Sequence, residues 1–218
     1  MPQGFRLLII AGVHGQEPQS AFLLEKISND FTLVEKEPYR VFSSSKNDLE
    51  IYSIPRFNEY GLLNKIRGNE NKVDLNRNLP AGNWSKEFSH IDYNPGPIAA
   101  SEPETKKLVS LIKGFEPDLI ISIHTNHFVT VKHPPQVNFD GELESHGFKL
   151  AQMLSELINL ELTCDIGYST PGSLGSYAKD LKIPCITLEL DDELDNDESL
   201  ERYEIPLKKF LGAVYKAQ

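Results

Sequence analysis

Residues 7–18 read LLIIAGVHGQEP, and this stretch decides how the chain is built. Leu7 to Ile10 form a short, continuous apolar run with β-branched members, and Gly12 breaks it, which is the pattern of a buried strand. His14 and Glu17 follow at the strand's exit. In an open α/β sheet, ligands gather in the crevice beyond the carboxyl ends of the strands. An imidazole and a carboxylate placed there suit one metal ion. The same residues also suit a surface loop running into a helix, because Glu17 and Pro18 fit a helix N-terminus. A third ligand elsewhere in the chain has to decide between the two readings.

Downstream, helical and strand patterns alternate. A helix is expected over residues 17 to about 29, with Ala21, Leu23 and Leu24 on one side. Short strands are expected at residues 39–42 and 51–54, with SSSKND (43–48) as the turn between them. In SEPETKKLVSLIKGF (101–115), Ser101 and Glu104 predict a capping box, and Leu108, Leu111, Ile112 and Phe115 keep the helical period. DLIISIH (118–124) reads as a strand, Phe148 to Ile158 as an amphipathic helix, and PCITLEL (184–190) as another buried strand. A last helix from about Ser199 carries Pro206, expected to kink or restart it. This alternation implies a mainly parallel or mixed sheet with helices on both faces. The connection over residues 64–100, rich in Asn, Gly and Pro, is too long to be filler; loops of that length are usually functional or disordered.

With 218 residues, 39% of them hydrophobic, the chain supports one good core, so residues 1–218 are expected to form a single domain. The longest apolar run falls far short of the roughly 18 residues of a membrane span. Met1-Pro2-Gln3 lacks the basic start of a signal peptide, so a cytoplasmic protein without a membrane partner is expected. Cys164 and Cys185 form no C-x-x-C and no disulfide framework, which suits reduced thiols. A net charge of −10 and a pI near 5.1 argue against nucleic acid, whose binding needs basic patches.

A third ligand candidate closes the strand DLIISIH. His124 leaves that strand directly, whereas His127, three residues on, sits in a loop; His124 is the better placed. Two histidines and a glutamate make a catalytic zinc set with a fourth position open for water or substrate. Glu189 sits between Leu188 and Leu190. Its carboxylate is either aimed into the site as a base or faces solvent in the alternation Thr187, Glu189, Asp191. In VDLNRNLP (73–80), Arg77 offers a planar fork for a carboxylate with the Asn76 amide beside it, or else an ion pair that ties down the long loop. The acidic run from Asp191 to Glu198 reads as a solvated loop.

Taken in order, GVHGQE, RGNENKVDLNRN, PGPIAASEPET, SIH, GYSTPGSLGSY and CITLEL resemble the zinc metallocarboxypeptidase family, and within it the bacterial murein peptide amidases. The resemblance covers nearly the whole chain. It implies a three-layer α/β/α sandwich around a mixed, mainly eight-stranded sheet. It also implies one Zn2+ per chain on His14, Glu17 and His124, with Glu189 as general base and Arg67 at the oxyanion. Asn76, Arg77 and Tyr168 would grip the substrate's terminal carboxylate. The implied substrate is a small murein tripeptide cut at its γ-D-glutamyl–meso-diaminopimelate bond, with Asp191 or Asp192 available to the far ammonium; a homodimer is allowed. The chain departs from the family's Asn-Pro-Asp-Gly by reading Asn58-Glu59-Tyr60-Gly61 shortly before Arg67. Two other readings stand beside this one. An aspartoacylase or succinylglutamate desuccinylase would share the His-x-x-Glu, but usually carries a β domain after the base, where only 29 residues follow Glu189. A non-catalytic zinc-binding relative would be expected to lose a ligand or the base.

Overall fold

Residues 7–11 lie in strand β1 (Phe5–Ala11) of a computed structural model that describes residues 4–30, 32–35, 41–46, 49–127 and 129–216. A run that is apolar on both faces needs cover on both, and Leu7 through Ala11 are all buried. β1 sits between β4 (Leu49–Ile54) and β5 (Leu119–Thr125), parallel to both, and β8 (Cys185–Leu190) pairs parallel with the far side of β5. With β2 (Thr32–Glu35), β3 (Val41–Lys46), β6 (Gln136–Asp140) and β7 (Glu161–Thr163) they form a mixed eight-stranded sheet ordered β2-β3-β4-β1-β5-β8-β6-β7. The antiparallel pairs are β2/β3, β3/β4 and β6/β8.

The period-two alternation of the strands sorts their side chains into two cores. Leu7 and Ile9, with Ile121, Ile123 and Leu188, pack against α1 (Pro18–Ile27), α4 (His146–Ile158) and α6 (Asn196–Lys216). Leu8 and Ile10 face the other way, toward α3 (Pro103–Phe115), α5 (Leu174–Asp180) and the loop residues Leu75 and Leu79. The result is the three-layer α/β/α arrangement. A short helix α2 (Glu59–Asn64) follows β4. Among the described residues, no helix is long and apolar enough to cross a membrane.

Several local expectations give way to structure. Residues 43–46 belong to β3 and not to a turn, because they pair with β4; residues 39–40 and 47–48 of those expectations lie outside the described residues. The capping box at Ser101 does not form. Glu102 is the N-cap of α3 with Pro103 behind it, Ser101 Oγ donates to Glu102 Oε1 (2.6 Å), and Glu104 accepts from Asn69 Nδ2 (3.2 Å). α6 starts at Asn196, because Asp195 Oδ1 accepts the backbone N–H groups of Asp197 and Glu198, each at 2.9 Å. It runs on through Pro206, with Tyr203, Leu207, Phe210 and Val214 buried on both sides of the proline. The long connection is held by its own amides. Asn71 Nδ2 donates to Glu102 Oε2 (2.7 Å), Asn78 Nδ2 to the Pro95 carbonyl (2.8 Å) and Asn94 Nδ2 to that of Lys72 (2.9 Å).

Candidate metal and substrate site

β1, β5 and β8 are adjacent and parallel, so their carboxyl ends open on one edge of the sheet. His14 lies just past the end of β1, and His124 is opposite Glu189 in the β5/β8 register. The loop between β1 and α1 is pressed tightly against α2. A Cβ on Gly15 would fall 1.9 Å from the Gly61 carbonyl, so only glycine fits, and Gly15 N–H donates to the Ile66 carbonyl at 3.0 Å. Glu17 takes the N-cap position of α1 without capping it. Its carboxylate turns inward instead: Oε1 lies 2.6 Å from His14 Nδ1 and Oε2 lies 3.0 Å from His124 Nδ1.

The other ring nitrogen of each histidine is engaged. His14 Nε2 lies 3.1 Å from Asp74 Oδ1, and His124 Nε2 lies 2.9 Å from Ser122 Oγ, whose residue shares a face of β5 with His124. Partners of this kind fix ring orientation and leave the opposite nitrogen to a metal. One ligand atom from each of His14, Glu17 and His124 lies within 4.8 Å of the others, and all three residues are buried. The donor set therefore fits a zinc ion. Electrostatics agree, since the cluster attracts positive charge. Burial alone would raise Glu17, but His14 and His124 hold its carboxyl well below the usual range. Burial and Arg67 depress His14, and Glu17 and Asp74 outweigh them, leaving it above an ordinary imidazole.

Glu189 faces this cluster from β8 and is only 6% exposed, so the solvent-facing reading does not hold. Burial pushes its carboxyl up to about 8, with His124 pulling it down and Glu17 pushing it further up. Arg67 is buried and its Nε donates to Asp74 Oδ2 at 2.9 Å. The altered Asn58-Glu59-Tyr60-Gly61 segment keeps the residues that hold it. Asn58 Oδ1 accepts from Gly61 N–H (2.9 Å), while Nδ2 donates to the carbonyls of Val13 (3.1 Å) and Arg67 (3.2 Å). Asn76 Oδ1 accepts from Leu174 N–H at the start of α5 (2.8 Å), so the oxygen is engaged and Nδ2 is the remaining polar end of the amide. Arg77 is buried, and Tyr168 has its hydroxyl pushed up to about 12 by burial and Glu189 against the pull of Arg77.

His14, Glu17, Arg67, Asn76, Arg77, His124, Tyr168 and Glu189 all line one cavity of about 150 Å³. His127 also lines it, but its Nδ1 lies 2.8 Å from Asp192 Oδ2 and it is outside the metal-ligand cluster. Asp191 and Asp192 do not line the cavity. Thr125 Oγ1 donates to Asp192 (2.9 Å) and Arg202 pairs with Asp191 (3.2 Å), so the expected partner for a distal ammonium is not there. The structure adds residues that the sequence did not suggest. Asp74 and Ser122 orient the histidines, and the Tyr93 ring carries Arg67 and Arg77 at 5.2 and 5.1 Å from its centroid. Asp74 had a signal, two residues ahead of Asn76 in the quoted motif; Tyr93 had none.

The family model for zinc carboxypeptidases matches residues 4–197. The chain belongs to the zinc carboxypeptidase family. It is thus a hydrolase, and the zinc carboxypeptidase relatives include murein peptide amidase A of Escherichia coli strain K12, 30% identical over 207 residues, covering 90% of this chain and 75% of that protein. Murein peptide amidase A of Vibrio campbellii is 30% identical over 209 residues, covering 91% and 74%. Among solved structures, the murein-tripeptide amidase of Escherichia coli O157 superposes with a TM-score of 0.72 at 27% identity, over 99% of this chain and 82% of that one. The carboxypeptidase A of Helicoverpa armigera shares the fold, with a TM-score of 0.68 at 16% identity, over 99% and 62%.

Proposed function

We propose that residues 1–218 act as one catalytic domain, a zinc-dependent amidase that hydrolyses the γ-D-glutamyl–meso-diaminopimelate bond of small murein peptides in the cytoplasm. The observation that carries this reading is the shared cavity, which joins a buried His/Glu/His cluster to Glu189 and to two buried arginines. The murein amidase relatives supply the substrate class. Two unpaired cysteines, Cys164 and Cys185, suit a reducing compartment.

His14, Glu17 and His124 would hold one zinc ion, which when bound polarises the scissile carbonyl and makes a water more acidic. Glu189 accepts a proton from the attacking water as the new C–O bond forms. It then delivers that proton to the leaving amine nitrogen as the C–N bond breaks. Burial raises this carboxyl, which makes its carboxylate the stronger base for the first half, and the conjugate acid serves the second. Arg67, with Nε committed to Asp74, turns its remaining N–H groups to the carbonyl oxygen as negative charge develops there. Asn76 Nδ2, Arg77 and Tyr168 clamp the free carboxylate of the last residue, so cleavage is set one residue from that end.

Glu189→Gln tests the assignment, because the amide keeps size and shape but cannot take the proton. Zinc content should stay at that of the wild type while turnover of the tripeptide falls by roughly 10²- to 10⁴-fold. Near-normal turnover would move the base elsewhere.

A further inference from the structure

His133 comes from the connection between β5 and β6, and Tyr168 from the one between β7 and α5, yet both line the cavity and their rings stack there. The centroids are 6.0 Å apart and the planes meet at 27°. The two rings are anchored differently. His133 is buried, and two groups meet at its Nδ1: the Gln136 side-chain nitrogen at 3.0 Å and the Pro134 carbonyl oxygen at 3.1 Å. Gln136 is itself buried and lies opposite Glu189 in the β6/β8 register. Behind the ring, Asn126 Nδ2 donates to the His133 carbonyl (2.9 Å), Asn126 Oδ1 accepts from Asp192 N–H (2.8 Å), and Asn126 N–H donates to the Leu190 carbonyl (2.8 Å). His133 is thereby pinned to the end of β8, the strand that carries Glu189. Tyr168 instead sits half-buried between two exposed residues, Gly167 and Ser169. Gly167 takes φ +90° with open space where a Cβ would lie, so the backbone entering Tyr168 leaves the direction of its side chain free. A ring on such a backbone needs a surface to lie against, and a second aromatic face at a centroid distance of about 4.5 to 7 Å supplies one.

We propose that His133 is a positioning residue, whose ring is the surface that holds Tyr168 in place for the substrate's terminal carboxylate. This depends on the peptidase reading above, in which Tyr168 belongs to the clamp. A clamp group already in place before the substrate arrives loses less freedom on binding, so the gain is in affinity. The same connection reaches the arginines as well, since Thr130 Oγ1 lies 3.0 Å from the Tyr93 hydroxyl and the Tyr93 ring carries Arg67 and Arg77. The role requires a flat face at position 133 and not an imidazole. Phenylalanine should serve there, and a side chain without a face should not.

The stack can be read without turnover. In protein labelled with 3-fluorotyrosine, the Tyr168 resonance is assigned by its loss in Tyr168→Phe, and its relaxation by a soluble paramagnetic agent reports exposure of the ring. That relaxation should rise in His133→Ala and stay at the wild-type value in His133→Phe. With zinc-loaded protein and murein tripeptide, KM should rise by about 3- to 10-fold in His133→Ala while kcat stays within about twofold, and His133→Phe should restore KM to within about twofold. Tyr168→Ala removes the group through which His133 acts, so adding His133→Ala to it should cost nothing further. His133→Leu fills the space without a ring face; it should match the alanine variant and replaces it if that variant does not fold. Unchanged KM and relaxation in the alanine and leucine variants would overturn the positioning role. So would an equal loss in His133→Phe, or the full loss persisting beside Tyr168→Ala. Failure of the wild type to hydrolyse any tripeptide, with relaxation following the expected order, would instead overturn the peptidase reading and leave His133 as the support of Tyr168.

Discussion

A histidine has two ring nitrogens, and the partner of one decides which is left for a metal. At His14 that partner is Asp74, which also holds Arg67, so one buried carboxylate positions both a ligand candidate and the oxyanion candidate. His14, Arg67 and Arg77 pull the Asp74 carboxyl far below its usual range, although burial alone would raise it. Asp74→Asn should weaken zinc affinity by about 10- to 100-fold, as read by competition with a chelator; unchanged affinity would show that Asp74 orients nothing. His124→Ala should lose most of the zinc in metal analysis, and His127→Ala should keep it. Full occupancy in the His124 variant would remove it from the ligand set. The ligand candidates were legible because apolar strands end on them. Ser122 and Tyr93 were not, and Asp74 was marked only by its place in the VDLNRN motif, because each acts through another side chain and spacing carries no record of hydrogen-bond direction.

The long connection shows how an element without regular structure is held. Glu102 accepts from Asn69, Asn71 and Ser101, anchoring the connection to the start of α3. Burial alone would raise its carboxyl, but those hydrogen bonds bring it below the ordinary glutamate value. A depressed carboxyl stabilises the fold above its unfolded pKa and loses that contribution as pH falls through the folded one. Glu102→Gln should therefore flatten the fall in Tm between about pH 6 and about pH 3, and an equally steep fall in the variant would contradict this. Of the elements, β1, β5, β8 and the amphipathic helices could be read from apolar period. β6 could not, since QVNFD is short and follows two prolines; its strand form comes from pairing with β8, and it carries Gln136. Ser101 looked like a cap by local sequence, but a tertiary network claims it and Glu102 together.

At the scale of the molecule, the parallel centre of the sheet brings β1, β5 and β8 to one edge, and residues more than a hundred positions apart in the chain meet there. The outer strands flank that centre within the sheet, and the helical layers bury it on either face. A net charge of −10 does not draw an anionic peptide in, so the proposed function requires recognition by the local cluster of Arg67, Arg77 and the candidate metal site. The most direct measurement is the rate of diaminopimelate release from free murein tripeptide by zinc-loaded protein, beside the same peptide with its terminal carboxylate amidated and peptides ending in simple apolar residues. Release of diaminopimelate, with the amidated and apolar-ended peptides strongly disfavoured, is the predicted result. Equal rates on all of them, or no release from the tripeptide, would contradict a murein amidase.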